Sequence, residues 1–354
     1  MDKVPKTIEA AVESLKRVEA RARRSRPRYT RTPMGPFYFD ERKHGPVLET
    51  VFFYGALRTS DIIDITTTAY DRIRKEDSTF AITNIRKFLT EEEGLGHMYH
   101  DGGLLTRRKV SNTGEVLHGL STAGAKKVRD LFGYEIANTD YTQDFKIRTA
   151  ASQKHKSDIA RYSAAVHRGA RKLDFIKFDD RPEIYKKNLI PREVWRRRRG
   201  AHIKDEYWKA SLQKGGRKKL QAEADWVHRF LGCTYDPETP QFQFPEIDEG
   251  TEPVNSKNLK RTSIYRKMLC YINAFYQKFH EEFWGIDSYR IPWIINTGYH
   301  GKERIDNFLE TTNIVTEGKG TRLFIFIPVS ALSSENILLE TFVNGKGESV
   351  HLID

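Results

Sequence analysis

At 354 residues, with 38% hydrophobic and 31% charged positions, the chain is long enough for about two or three folded domains and too apolar for a disordered polymer. Its 60 Lys and Arg exceed its 48 Asp and Glu to give a net charge of +12. No apolar run reaches the roughly 18–20 residues that cross a bilayer, and the N-terminus lacks an apolar signal core, which predicts a cytoplasmic protein with no membrane partner. Cys233 and Cys270 are too few for a disulfide framework or for a zinc cluster of their own.

Residues 1–44 read as a basic helical segment and linker. Val4, Ile8, Val12, Leu15 and Val18 have near-helical spacing, and Arg21, Arg23, Arg24, Arg26, Arg28 and Arg31 lead into a stretch rich in Pro and Gly. Val47–Tyr54 is an expected helix, and a glycine turn then places Thr59 or Ser60 as cap of a short helix through Ile65. Ser78 or Thr79 caps the next helix, which runs to Thr90. Phe80, Ile82, Ile85, Phe88 and Leu89 form its apolar stripe, and Asn84, Arg86 and Lys87 face outward. GGLLTRRKV and EVLHGL read as two strands joined by the tight turn SNTG, and Ser121 caps a further helix. Three helices, a hairpin and a helix predict a winged helix-turn-helix over residues 45–135. Its helix to Thr90 would enter the major groove of double-stranded DNA, and Arg107, Arg108 and Lys109 on the wing would meet the backbone. The same fold also docks proteins.

The positive charge is concentrated further on. Residues 145–220 hold 23 Lys and Arg against 8 Asp and Glu, a surplus of 15 that exceeds the whole chain's +12. Arg192, Arg196, Arg197, Arg198 and Arg199, then Lys214, Arg217, Lys218 and Lys219, stand among Trp195, Tyr207 and Trp208. That composition suits phosphate neutralisation and base stacking. SDIARYSAAVHRGARKL is an expected long helix and DFIKF a strand. ADWVHRFLG and QFQFPEID read as paired strands, followed by a helix over RTSIYRKMLCYINAF, a strand in YRIPWIINTG, a helix in ERIDNFLETT and a buried strand in RLFIFIP. The fold class is α/β (α+β), with a mixed sheet covered by helices.

Glu246 and Asp248 are two apart on a strand and therefore share a face, where Asp225 of the neighbouring strand could meet them. Three carboxylates in one place call for a hard cation such as Mg²⁺, with Lys267 on the next helix near a scissile phosphate. The alternative is a surface Asp225, two carboxylates opening a loop and an exposed Lys267. His97, His100 and Asp101 lack a complete ligand set, no His-x-His suggests a tyrosine relaxase, and Tyr265, Tyr271 and Tyr276 read as core or helix-face residues. VNGKGES is not a phosphate-binding loop.

The segment PEIDEGTEPVNSKNLKRTSIYRKMLCYINAF resembles the E-x-D-x-G-T-E signature of the replication-relaxation family of plasmids and other mobile elements, and HGLSTAGAKKV resembles the end of that family's winged helix. The resemblance covers roughly residues 45–330. It implies a DNA-binding winged helix joined to a PD-(D/E)xK nuclease-like domain over 145–330 that carries the basic insertion, with 331–354 as a C-terminal extension. It further implies action in replication or relaxation alongside other replication or transfer proteins. Asp225 would be the motif's first aspartate, with Ala224 in place of the usual proline, and Glu246 its second acid. Asp248 stands where the pattern has lysine, and Lys267 would replace that lysine. The catalytic set is then Asp225, Glu246, Asp248 and Lys267, with Mg²⁺ held by the three acids. The alternative is a non-catalytic replication or transcription regulator with a degenerate nuclease-like domain.

Overall fold

The computed structural model describes residues 37–55, 57–82, 84–90, 92–100, 102–109, 116–134, 150–190, 202–203, 222–223, 228–234, 236–256, 263–298 and 303–354. Helix α1, Glu41–Tyr54, begins six residues before the expected start at Val47, because Asp40 accepts hydrogen bonds from the backbone of Arg42 (3.0 Å) and Lys43 (3.1 Å) and so caps an earlier turn. A two-residue strand β1, Leu57–Arg58, follows. Helix α2, Thr59–Glu76, continues eleven residues past the expected Ile65. The threonines that follow are compatible with helix: Thr67 donates back to the carbonyl of Ile63 at 2.6 Å, and Ile62, Ile65, Thr66 and Tyr70 lie on one buried stripe.

The expected helix from Thr79 is shorter than its apolar stripe. Asp77 holds the backbone of Thr79 in a turn at 2.8 Å, and helix α3 spans only Ile85–Thr90. Residues Glu92–Gly96 form a wide turn around a non-helical Gly94, which leads into the one-turn helix α4, His97–His100. Strands β2, Leu105–Lys109, and β3, Val116–Leu120, pair antiparallel as expected, from Leu105 opposite Leu120 to Lys109 opposite Val116. β1 pairs with the far side of β3, giving the order β1-β3-β2. Ser121 caps helix α5, Thr122–Phe132, by accepting from Gly124 at 2.9 Å, again as expected. Val47, Leu48, Val51, Ile62, Ile65, Leu105, Leu117 and Val128 form the core of this layer.

Helix α6, Ala150–Ala170, packs against α2. His167 on α6 bonds to the Tyr54 hydroxyl at 2.9 Å and to the Thr68 hydroxyl at 3.0 Å, and Arg168 reaches Asp64 at 2.8 Å. Strand β4, Lys177–Asp179, and helix α7, Arg181–Lys186, come next, with Arg72 of α2 donating to the Phe178 carbonyl at 3.2 Å. These bonds tie the helical layer to the sheet. The residues from Tyr38 onward form one compact unit.

The short pair β5, His202–Ile203, and β6, Ala222–Glu223, is followed by β7, His228–Leu231, β8, Gln241–Gln243, and β9, Glu246–Asp248. Helix α8, Ile264–Tyr276, strand β10, Tyr289–Ile295, helix α9, Glu303–Val315, and strand β11, Phe324–Pro328, follow the expected order. β12, Phe342–Asn344, and β13, Ser349–Val350, lie in the segment read as an extension. The sheet order is β13-β12-β11-β10-β8-β7-β4, with β9 also on β10. β7 and β8 pair antiparallel as expected, while β8, β9 and β11 run parallel to β10. β8 and β9 share one register against β10, with Phe242 opposite Tyr289 and Glu246 opposite Trp293. Pro245, which has no N–H to donate, falls at the break between them. The result is a mixed α/β architecture with a mixed sheet. Trp293, Phe308, Phe324, Phe326, Met268 and Tyr271 belong to its central hydrophobic cluster. No helix among the described residues is long and apolar enough to cross a membrane.

Candidate functional site

The site is built at the end of β9. Because side chains alternate along a strand, Glu246 and Asp248 emerge on one face, and the bonds they make show that this face meets α8 and α9. Both side chains are 1% exposed. A carboxylate removed from water this completely needs compensating donors. Glu246 receives the Tyr271 hydroxyl on Oε1 and the Lys267 ammonium on Oε2 at 3.3 Å. Lys267 also lies 3.6 Å from Glu252. The expected approach of Lys267 to Glu246 is therefore present. One helical turn separates Lys267 from Tyr271, so both point at the same carboxylate.

Asp248 has a different partner. The Arg304 guanidinium forks onto it, with Nε at 2.6 Å from Oδ2 and Nη2 at 2.7 Å from Oδ1. Oδ1 also accepts from the Gly250 N–H at 3.1 Å, and Arg304 Nη2 reaches the Glu252 carbonyl at 3.2 Å. On the side of α6, His155 Nδ1 stands 3.8 Å from Glu249. The cluster thus sets the cations of Lys267 and Arg304 among its acids.

These residues fit a Mg²⁺ site poorly. A divalent ion on Asp248 would have to share oxygens already taken by a guanidinium, and an ion on Glu246 would have to displace an ammonium or a phenol proton. Asp248, expected as a metal ligand, is paired through both carboxylate oxygens with the Arg304 guanidinium. Among the described residues no group of three or more His, Cys, Asp and Glu side chains is arranged to hold a metal ion. Asp225, the third expected acid, lies outside the described residues.

The sequence reading missed Arg304; Tyr271, read there as a core or helix-face residue, is buried in the central cluster and also donates to Glu246. Arg304 did leave a signal. It is the second residue of α9, and a cation in the first turn of a helix meets the positive end of the dipole, so it needs an acid elsewhere.

The second set of expected residues lies in the helical layer. Arg86 and Lys87 are exposed on α3. Asn84 is exposed as well, but its side-chain oxygen accepts the Lys87 N–H at 2.8 Å. It acts as a helix cap, a role for which asparagine is well suited, because the helix begins at Ile85 rather than at Thr79. Arg107 is exposed on β2, with its guanidinium 4.5 Å from the centre of the Tyr99 ring. That contact gives the arginine a fixed platform on α4. The side chains of Arg108 and Lys109 lie outside the described residues, as do Arg196, Arg197, Arg198, Arg199, Lys218 and Lys219. No known protein family, curated protein or solved structure matches this chain.

Proposed function

We propose that the chain is a double-stranded-DNA-binding protein that engages the duplex through a winged helix formed by residues 41–132. The observation that carries this reading is the exposure of three cationic side chains, Arg86 and Lys87 on α3 and Arg107 on the β2–β3 hairpin. The order α1-β1-α2-α3-α4-β2-β3-α5, with β1 closing the hairpin into a three-stranded sheet, supports the winged-helix reading. A short helix fits the major groove, and a hairpin beside it reaches the neighbouring backbone. The basic stretch between residues 145 and 220 adds phosphate neutralisation. The EIDEGTE segment, through the family it resembles, sets this activity in the replication, relaxation or transfer of a mobile element. Within that setting the α/β part is a degenerate nuclease-like domain that positions DNA or other replication proteins.

Arg86→Ala with Lys87→Ala tests this directly by fluorescence anisotropy on a duplex across a salt series. Each lost phosphate contact lowers the slope of log K against log salt by about 0.9, so the pair is expected to lower it by roughly 1.8 and to weaken binding by about tenfold or more. Binding by the unchanged protein that is indifferent to this double substitution would remove α3 as the reader.

One observation favours a second reading, Mg²⁺-dependent nicking: Lys267 and Glu246 converge at 3.3 Å, as the nuclease pattern requires. In this reading Asp225 and Glu246 carry the chemistry. Nicked circles formed from supercoiled plasmid with Mg²⁺, and lost in Glu246→Gln, would establish it.

A further inference from the structure

We infer that Arg304 is the resident cation of the acidic cluster, a guanidinium that does for Asp248 and the 248–252 loop what a bound divalent ion would otherwise do. Three oxygens of this loop converge on it: both carboxylate oxygens of Asp248, at 2.6 and 2.7 Å, and the carbonyl of Glu252, at 3.2 Å. Carboxylate and backbone carbonyl oxygens are the donors that hard divalent cations select. A guanidinium fulfils the same demand with its planar fork, and it cannot be deprotonated or lost to a chelator. Arg304 is itself 6% exposed, so it is built into the loop rather than resting on it. Lys267 completes the arrangement by bridging Glu246 at 3.3 Å and Glu252 at 3.6 Å. Asp248 and Glu246 thus each meet a cation of the chain's own, and the Lys267 ammonium lies within ion-pair distance of Glu252.

The inference concerns the same cluster as the nicking reading and runs against it. Its consequence is that the cluster keeps its shape without metal and has no affinity for Mg²⁺ while Arg304 is in place. Removing the guanidinium should expose a set of oxygen donors and create a divalent-ion dependence that the natural protein lacks.

Thermal melts of the full chain, in millimolar MgCl₂ and in NaCl of matched ionic strength, read this out without DNA. A failure here is therefore separable from a failure of DNA binding. The unchanged protein should melt identically in the two salts. Arg304→Gln should melt roughly 5–10 °C lower in NaCl and regain part of that loss in MgCl₂. Arg304→Lys, which keeps the charge but not the fork, should fall between the two and respond little to Mg²⁺. If Arg304→Gln does not fold, calorimetric titration of Mg²⁺ into the unchanged protein decides the matter. Absence of saturable heat supports the inference. Saturable binding that disappears in Glu246→Gln overturns it, as would an Arg304→Gln variant that folds and shows no Mg²⁺ response.

Discussion

Replacing Lys267 by methionine is expected to cost about 3–5 kcal/mol of unfolding free energy, the scale for leaving a buried charge without its partner. The argument rests on Glu246, whose side chain is 1% exposed and whose register partner is Trp293, inside the central hydrophobic cluster. With the ammonium gone, this carboxylate keeps the Tyr271 hydroxyl but loses the charge of Lys267. The carboxylate must then be solvated by local opening or take up a proton. Lys267→Met combined with Glu246→Gln should be more stable than Lys267→Met alone, since the orphaned charge has been removed. Denaturant unfolding of the three proteins measures this. A Lys267→Met penalty below about 1 kcal/mol, the range of an exposed ion pair, would mean that the pair is solvated rather than buried.

Mild acid should unfold the protein, through three buried histidines. Burial, followed by the nearby Arg107, holds His118 down at about 4. Burial also drives His167 and His228 well below their ordinary value, assisted by Arg72 and Arg171 for His167 and by His167 for His228, against an opposing pull from Asp180 on His228. A histidine with a lowered folded pKa is neutral in the native chain and takes up a proton on unfolding. Its contribution is fully present above about pH 6.5 and is lost as pH falls toward the folded value. For His118 alone the drop from 6.5 to about 4 corresponds to about 3 kcal/mol. Glu49 and Asp61, pushed up mainly by burial, work in the opposite direction and offset part of the loss. The melting temperature should therefore be flat above neutrality and fall steeply below about pH 6.

His228 offers the cleanest control. It is packed against Tyr162, Phe178 and Phe230, and neither of its ring nitrogens has a hydrogen-bond partner among the described residues. His228→Leu should be nearly neutral above pH 7 and should flatten the acid limb, because an unsatisfied polar ring is replaced by an apolar side chain of similar size. An acid limb unchanged by this substitution would show that other groups control it.

Some of this architecture was legible because it depends on local chemistry. Ser121 capping α5, the β2–β3 pairing and the alternation of strands and helices after residue 228 follow from caps, turn residues and apolar runs. The meeting of Glu246 with Lys267 was also readable, since only one loop separates their elements. What escaped depends on short elements or distant partners. β1 and β13 have two residues each and carry no periodicity. The apolar stripe from Phe80 to Leu89 suggested one long helix, yet Asp77 and Asn84 each hold a turn or a cap with their side chains, and such competition is invisible to a count of apolar spacing. Arg304 lies 56 residues beyond Asp248. Only tertiary packing brings them together.

The central claim, a DNA-binding protein whose acidic cluster is closed by its own cations, is tested most directly by incubating the full chain with supercoiled plasmid, with and without Mg²⁺, and scoring each sample for both retarded complex and nicked circle. Complex formation in both samples, weakening with salt and yielding no nicked product, is the expected result. Mg²⁺-dependent nicked circles that vanish in Glu246→Gln, or the absence of any complex at physiological salt, would contradict it.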